Sequence, residues 1–194
     1  MIAGIVLAGG RSQRMGRRKA TLKVGDEIFL ERAVRVLREG GCGDIVVVLG
    51  VDEPELTSLT ASSGVRATKS GGGPEQIDSL RAGLRALPAT VEAAVVIPVD
   101  HPLIEPSTVT TIIETFEACR APVVRVSHGG RRGHPVLFAA NVFDELLSSE
   151  LPQGARTVIR AHDGDLVEVD VDDPGVLIDI NRPADYEEHV GELD

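Results

Sequence analysis

From the first residues almost to the last, short runs of apolar residues alternate with stretches whose apolar positions recur every third or fourth residue. A continuously apolar run suits a strand buried on both faces, and the longer spacing suits a helix lying on such a face. The first kind occurs at residues 2–8, 44–49, 93–99 and 123–126. Leu30, Ala33, Val34 and Leu37 fall on one helical face, as do Val109, Ile112, Ile113 and Phe116, and more loosely Ile77, Leu80, Leu84 and Leu87. This alternation predicts βα units and a mostly parallel sheet flanked by helices. Beyond Ser127 the pattern turns irregular, with a Gly/Arg turn over residues 129–133, helices over 141–149 and 155–162, and two short strands before Pro183. No repeat or linker interrupts it, so residues 1–194 are expected to form a single domain.

Composition agrees with this picture and narrows it. A chain of 194 residues can bury one core without metals or disulfides as staples. Hydrophobic residues make up 42% and charged ones 26%, a globular balance. No stretch reaches the roughly 18 consecutive apolar residues of a membrane span. The apolar start lacks a basic n-region and runs into glycines and arginines, so it reads as a first strand and not a leader. Cys42 and Cys119 stand far apart and outside any CxxC or Cys/His pattern, which points to incidental thiols and a cytoplasmic location. A net charge of −10 and only 3% aromatics argue against a nucleic-acid partner. Yet Arg11, Arg14, Arg17, Arg18, Lys19 and Lys23 gather six of the 20 Lys and Arg residues with no acid between them, a local anion site on an acidic chain.

In open α/β sheets, ligands bind beyond the carboxyl ends of the strands. The first strand runs into Leu7-Ala8-Gly9-Gly10-Arg11-Ser12-Gln13-Arg14-Met15-Gly16-Arg17-Arg18-Lys19. Glycines there let backbone amides approach an anion, and the basic residues supply charge. The spacing matches neither GxxxxGK[ST] nor GxGxxG, so a different phosphate loop is implied, with a flexible surface turn as the alternative. A central strand ends in Val99-Asp100-His101-Pro102, where Asp100 is either a ligand for a hard cation or a cap for the following helix. Asp179 and Asn181, two residues apart, are expected to share a strand face near Asp100 or to be ordinary strand-end polarity. His128, His162 and His189 show no metal-ligand spacing and read as surface residues.

The N-terminal string resembles the signature LAGGxSxRMGxxK of the molybdenum cofactor nucleotidyltransferases, with every fixed position met. Their wider superfamily includes methylerythritol phosphate cytidylyltransferase and the sugar-1-phosphate nucleotidyltransferases. Ser79-Leu80-Arg81-Ala82-Gly83-Leu84, Pro98 to Leu103, Gly133-His134-Pro135-Val136-Leu137-Phe138, Gly154-Ala155-Arg156 and Asp179 to Asp185 follow in family order.

The resemblance implies a three-layer α/β/α Rossmann-like nucleotidyltransferase fold. It also implies magnesium-dependent transfer of a nucleoside monophosphate from an NTP to a small phosphorylated acceptor, with release of pyrophosphate. Arg14, Lys19 and Asp100 would be catalytic. Leu7, Ala8, Gly9, Gly10, Arg11, Ser12, Met15, Gly16 and Ser79 would line the nucleotide, with Arg14 and Lys19 on its triphosphate. Asp100 would bind magnesium with Asp179 or Asn181. Arg132 and His134, in a second basic turn, would face the acceptor, with a solvated hairpin tip as the alternative. Gly9 is similar to the guanylyltransferase branch, whereas the later motifs are similar to the molybdopterin cytidylyltransferases, which places CTP first and GTP second. The acceptor would be molybdopterin or, on another branch, a sugar or polyol phosphate, and a molybdoenzyme or its chaperone would receive the product. A regulatory nucleotide-binding module is the rival without chemistry. A glycosyltransferase would carry Asp-x-Asp where this chain has Asp100-His101-Pro102.

Overall fold

The computed structural model describes residues 1–10, 15–71, 73 and 75–192. Seven strands form one sheet: β1 (Ile2–Leu7), β4 (Asp44–Leu49), β5 (Arg66–Lys69), β6 (Ala93–Pro98), β7 (Val123–His128), β8 (Arg131–Ala139) and β9 (Val167–Asp170). A small hairpin of β2 (Lys23–Val24) and β3 (Glu27–Ile28) stands apart. The helices are α1 (Phe29–Glu39), α2 (Pro54–Ser62), α3 (Gln76–Ala86), α4 (Pro106–Cys119), α5 (Phe143–Leu147), α6 (Ala155–Ala161) and α7 (Pro183–His189). No helix among the described residues is long and apolar enough to cross a membrane.

The sheet order is β5-β4-β1-β6-β8-β7-β9, with β8 antiparallel to both neighbours and every other pair parallel. Strand residues alternate between two cores. Val6, Val47, Val95 and Ile97 pack with α1 and α4, while Ile5, Val46, Val48, Ala94 and Val96 pack with α3, α5 and α6. Burial on both faces explains why these strands are apolar throughout, and it produces the expected three layers. The chain travels from β1 outward to β4 and β5, then returns to place β6 on the other side of β1. That reversal opens a crevice between the carboxyl ends of β1 and β6. At the C-terminus, α7 docks on the small hairpin through Tyr186, whose hydroxyl donates to the Lys23 carbonyl at 2.6 Å.

Three sequence expectations change in the second half. The Gly/Arg turn shrinks to Gly129 and Gly130, because His128 already pairs with Arg131 and residues 131–133 belong to β8. Only one of the two expected C-terminal strands forms. Asp179 and Asn181 lie in extended chain outside any ladder, where Ile180 N–H donates to the Asp100 carbonyl at 2.8 Å and Asn181 N–H to Asp185 at 2.8 Å. Finally, residues 141–149 divide into a 3-10 turn, Ala140–Val142, followed by the short helix α5.

Candidate functional site

The site begins where β1 and β6 end side by side. Leu7 pairs with Pro98, and Val99 N–H reaches back to the Leu7 carbonyl at 3.0 Å. Leu7 and Ala8 are buried, Gly9 is half-buried and Gly10 is exposed, so the backbone climbs out of the sheet at the two glycines. Arg11, Ser12 and Arg14 lie outside the described residues. Met15 returns to the core, Gly16 turns the exposed chain with φ 69°, and a 3-10 turn, Lys19–Thr21, follows.

Lys19 is the meeting point of distant segments. Its Nζ donates to Asp100 Oδ2 at 2.9 Å and also to the side-chain oxygen of Asn181, 81 and 162 positions away in the chain. The Asn181 amide in turn donates to the Asp179 carboxylate. Lys19 is 13% and Asp100 26% exposed, so the pair is shielded enough for its charges to matter yet open to a ligand. Asp100, Asp179, Asn181 and Lys19 thus form one polar cluster across the crevice. The alternative role of Asp100 as a helix cap is not realised. The buried Asp173 instead holds the entry to α4, accepting from Glu105 N–H at 3.0 Å and from the Thr108 hydroxyl at 2.7 Å.

Ser79 sits in the first turns of α3 and is buried beneath Gly9. A Cβ at position 9 would stand 3.1 Å from Ser79 Oγ and 3.2 Å from Ser70 Cβ. Glycine therefore lets β1's exit press against α3. The glycine-rich stretch before this helix includes Gly72 and Pro74, both outside the described residues.

The two residues expected on the acceptor side part company. Arg132 reaches across β7 to Glu168 of β9 at 3.2 Å, a carboxylate it shares with Arg125. His134 lies against His101, with ring centroids 4.7 Å apart, and both Nδ1 atoms are buried without a partner among the described residues. Desolvation pushes the His134 imidazole down to about 3, and the neighbouring His101 is lowered for the same reason, partly opposed by Asp100 and Asp179. Both rings are therefore neutral at pH 7. Asp185 is held below the usual carboxylate range by the Asn181 N–H and then the Arg182 N–H, which secures the chain just after the cluster.

Sequence reasoning missed the residues that carry the 173–181 segment. Besides holding the entry to α4, Asp173 accepts from Gly175 N–H at 2.9 Å. A Cβ on Gly175 would come within 2.1 Å of the Leu103 carbonyl oxygen, and one on Gly133 within 2.3 Å of that of Val176. These two contacts wedge the segment between the loop after β6 and the start of β8. Asp173-Pro174-Gly175 has the composition of a turn, the one signal that could have found it. Beyond Asp179 opens a cavity of about 400 Å³ lined by His128, Arg131, Pro174, Asp185 and His189 among others. His128, expected as a plain surface residue, contacts the Val171 carbonyl through Nδ1 at 2.8 Å.

Among the described residues no three His, Cys, Asp or Glu side chains gather as a metal cage. The cluster offers two carboxylates and an amide oxygen without thiol or imidazole. Such a set fits a hard divalent cation that keeps waters and shares phosphate oxygens.

The family described as MobA-like NTP transferase domain matches residues 4–166. A "probable molybdenum cofactor guanylyltransferase" of Mycolicibacterium paratuberculosis is 32% identical over 188 residues, 95% of this chain and 92% of the relative. Another protein of that name, from Opitutus terrae, is 36% identical over 129 residues, 66% of this chain and 62% of the relative. Among solved structures, Rv0371c from Mycobacterium tuberculosis superposes with a TM-score of 0.82 at 25% identity, covering 97% of each chain.

Proposed function

Because this chain belongs to the MobA-like NTP transferase family, we propose that it transfers a nucleoside monophosphate from an NTP to the phosphate of molybdopterin. The observation that carries the reading is the convergence of Lys19, from the glycine-rich loop, with Asp100 and Asn181 at the crevice between β1 and β6. In the transfer, an acceptor phosphate oxygen bonds to the α-phosphorus as the bond from that phosphorus to the bridging oxygen breaks, and pyrophosphate leaves with the electron pair. Two anions must approach, so positioning and charge neutralisation carry the rate.

Lys19 would offset phosphate charge from within a shielded site, with Gly9 and Gly10 leaving backbone amides open to phosphate oxygens. Arg14 and Arg11 would add charge, and Ser12, Met15 and Gly16 complete the loop. Asp100 with Asp179 or Asn181 would hold magnesium or manganese, which when bound supplies further neutralisation between phosphate oxygens. Ser79, under Gly9, would stand near the base or ribose.

Sequence motifs place CTP before GTP, but GTP is the preferred donor here, because relatives matched over up to 95% of this chain are named guanylyltransferases. His134, neutral and edge-on to the His101 ring, remains the residue proposed on the acceptor side. Arg132 is the weaker choice, since it is engaged by Glu168. The test is a matrix of the four NTPs against molybdopterin and several sugar phosphates, with magnesium or manganese, scored for pyrophosphate and diphosphate-linked product. Tight NTP binding with no pyrophosphate from any acceptor would favour the regulatory module instead.

A further inference from the structure

Arg18 and Lys19 are sequence neighbours that hold opposite walls of the site. Arg18 is extended, with φ −69° and ψ 117°, so the two side chains leave the backbone on opposite sides. Lys19 turns to Asp100 and Asn181. The Arg18 guanidinium instead donates to the Asp52 carbonyl at 3.2 Å and pairs with Glu53 Oε1 at 2.9 Å. Glu53 is only 11% exposed, and its other oxygen accepts from Gly50 N–H at 3.2 Å, which fixes the carboxylate to the end of β4. Beyond Lys19 the chain is anchored by the buried Ala20 and Leu22, and Thr21 returns to the Arg18 carbonyl through both its N–H and its hydroxyl.

We propose that the Arg18–Glu53 pair is a strap that fixes the backbone at positions 18 and 19, so that the Lys19 ammonium stands in the crevice before a nucleoside triphosphate arrives. Arg18 is then a positioning residue that acts through Lys19. The inference rests on Lys19 meeting the nucleotide's phosphates. Since the Arg18 side chain is 55% exposed, the pair contributes little to global stability, and its effect lies in preorganising the ligand's charge partner.

The experiment measures GTP and CTP affinity with magnesium by calorimetry, alongside melting temperature. Arg18→Ala and Glu53→Gln are each expected to weaken binding about fivefold, the most an exposed ion pair ordinarily supplies. The double variant should be no weaker than either single, Arg18→Lys should recover most of the affinity, and melting should hardly move. Raising salt to about 0.5 M should narrow the gap between wild type and variants as the pair is screened. Losses that add in the double variant would place Arg18 directly on the ligand and overturn the strap. So would unchanged affinity in both singles, or a fall in melting temperature that accounts for the loss and is not rescued by Arg18→Lys. If the wild type binds neither nucleotide, the nucleotide reading itself fails and the strap with it; binding by the wild type isolates the strap as the part under test.

Discussion

The two sides of the crevice are built by different means. On the side of β1 and β4, each element follows its strand directly: Gly9 and Gly10 leave β1, and Glu53 folds back on the exit of β4 within four residues. On the other side only Asp100 and His101 follow their strand. Asp179 and Asn181 arrive in extended chain from the far end of the sequence, stapled by Asp173 and wedged through Gly133 and Gly175. The first side depends mostly on local geometry, the second on non-local contacts. Apart from the Arg18–Glu53 strap, substitutions should therefore act through chemistry at the first and through placement at the second.

Asp100 joins its side to the other through Lys19, and Asp100→Ala should remove turnover altogether while melting stays near that of the wild type, since its backbone contact to Ile180 survives. Pyrophosphate release and calorimetry on the same preparation check this, and residual turnover above a hundredth would take Asp100 out of the reaction. Lys19→Met tests the local side: losing one preorganised charge should lower the rate by about a hundred- to a thousandfold, on the order of 2.7 to 4 kcal/mol. Gly133→Ala tests the non-local side. Its Cβ meets backbone, so overpacking should cost about 1 to 3 kcal/mol of stability and lower turnover by displacing Asp179 and Asn181. Denaturant midpoints and rates that both match the wild type would show that the wedge does not matter.

The smallest effect concerns pH. Unfolded, His134 takes a proton near its ordinary 6.5, whereas in the fold burial keeps it neutral down to about 3. As pH falls through that window the unfolded state alone gains protons, so stability declines with acid. His134→Gln should flatten part of this decline, leaving the share due to His101. Urea midpoints between pH 7 and 4 that stay parallel in variant and wild type would deny His134 this part.

The contrast also explains what could be read from the chain. Strands β1, β4, β6 and β7 and helices α1, α3 and α4 were visible because each buries a continuous run or a stripe, a signal carried by periodicity alone. Helix α2 buries only Leu56 and Thr60, and β5 is nowhere fully buried, so neither left such a stripe. Lys19, Asp100 and Asn181 were named from motifs, and the structure joins them. The same motifs could not tell that Arg132 turns to Glu168 while His134 lies against His101, because the start of their strand was read as a turn and both partners are distant in the chain. Asp173 escaped because its partners lie 65 and 68 positions upstream, a distance at which no local pattern reports.

Strand β8 runs against its neighbours, so its beginning, not its end, reaches the rim of the crevice. The hairpin tip that precedes it, Gly129 and Gly130, has φ of 56° and 77°, and a Cβ on either glycine would meet nothing within 4 Å. Added residues there would raise one wall without shifting any ladder pair. Lengthening this single protrusion would thus give the crevice a deeper or differently charged wall, leaving the Lys19–Asp100–Asn181 cluster as it is.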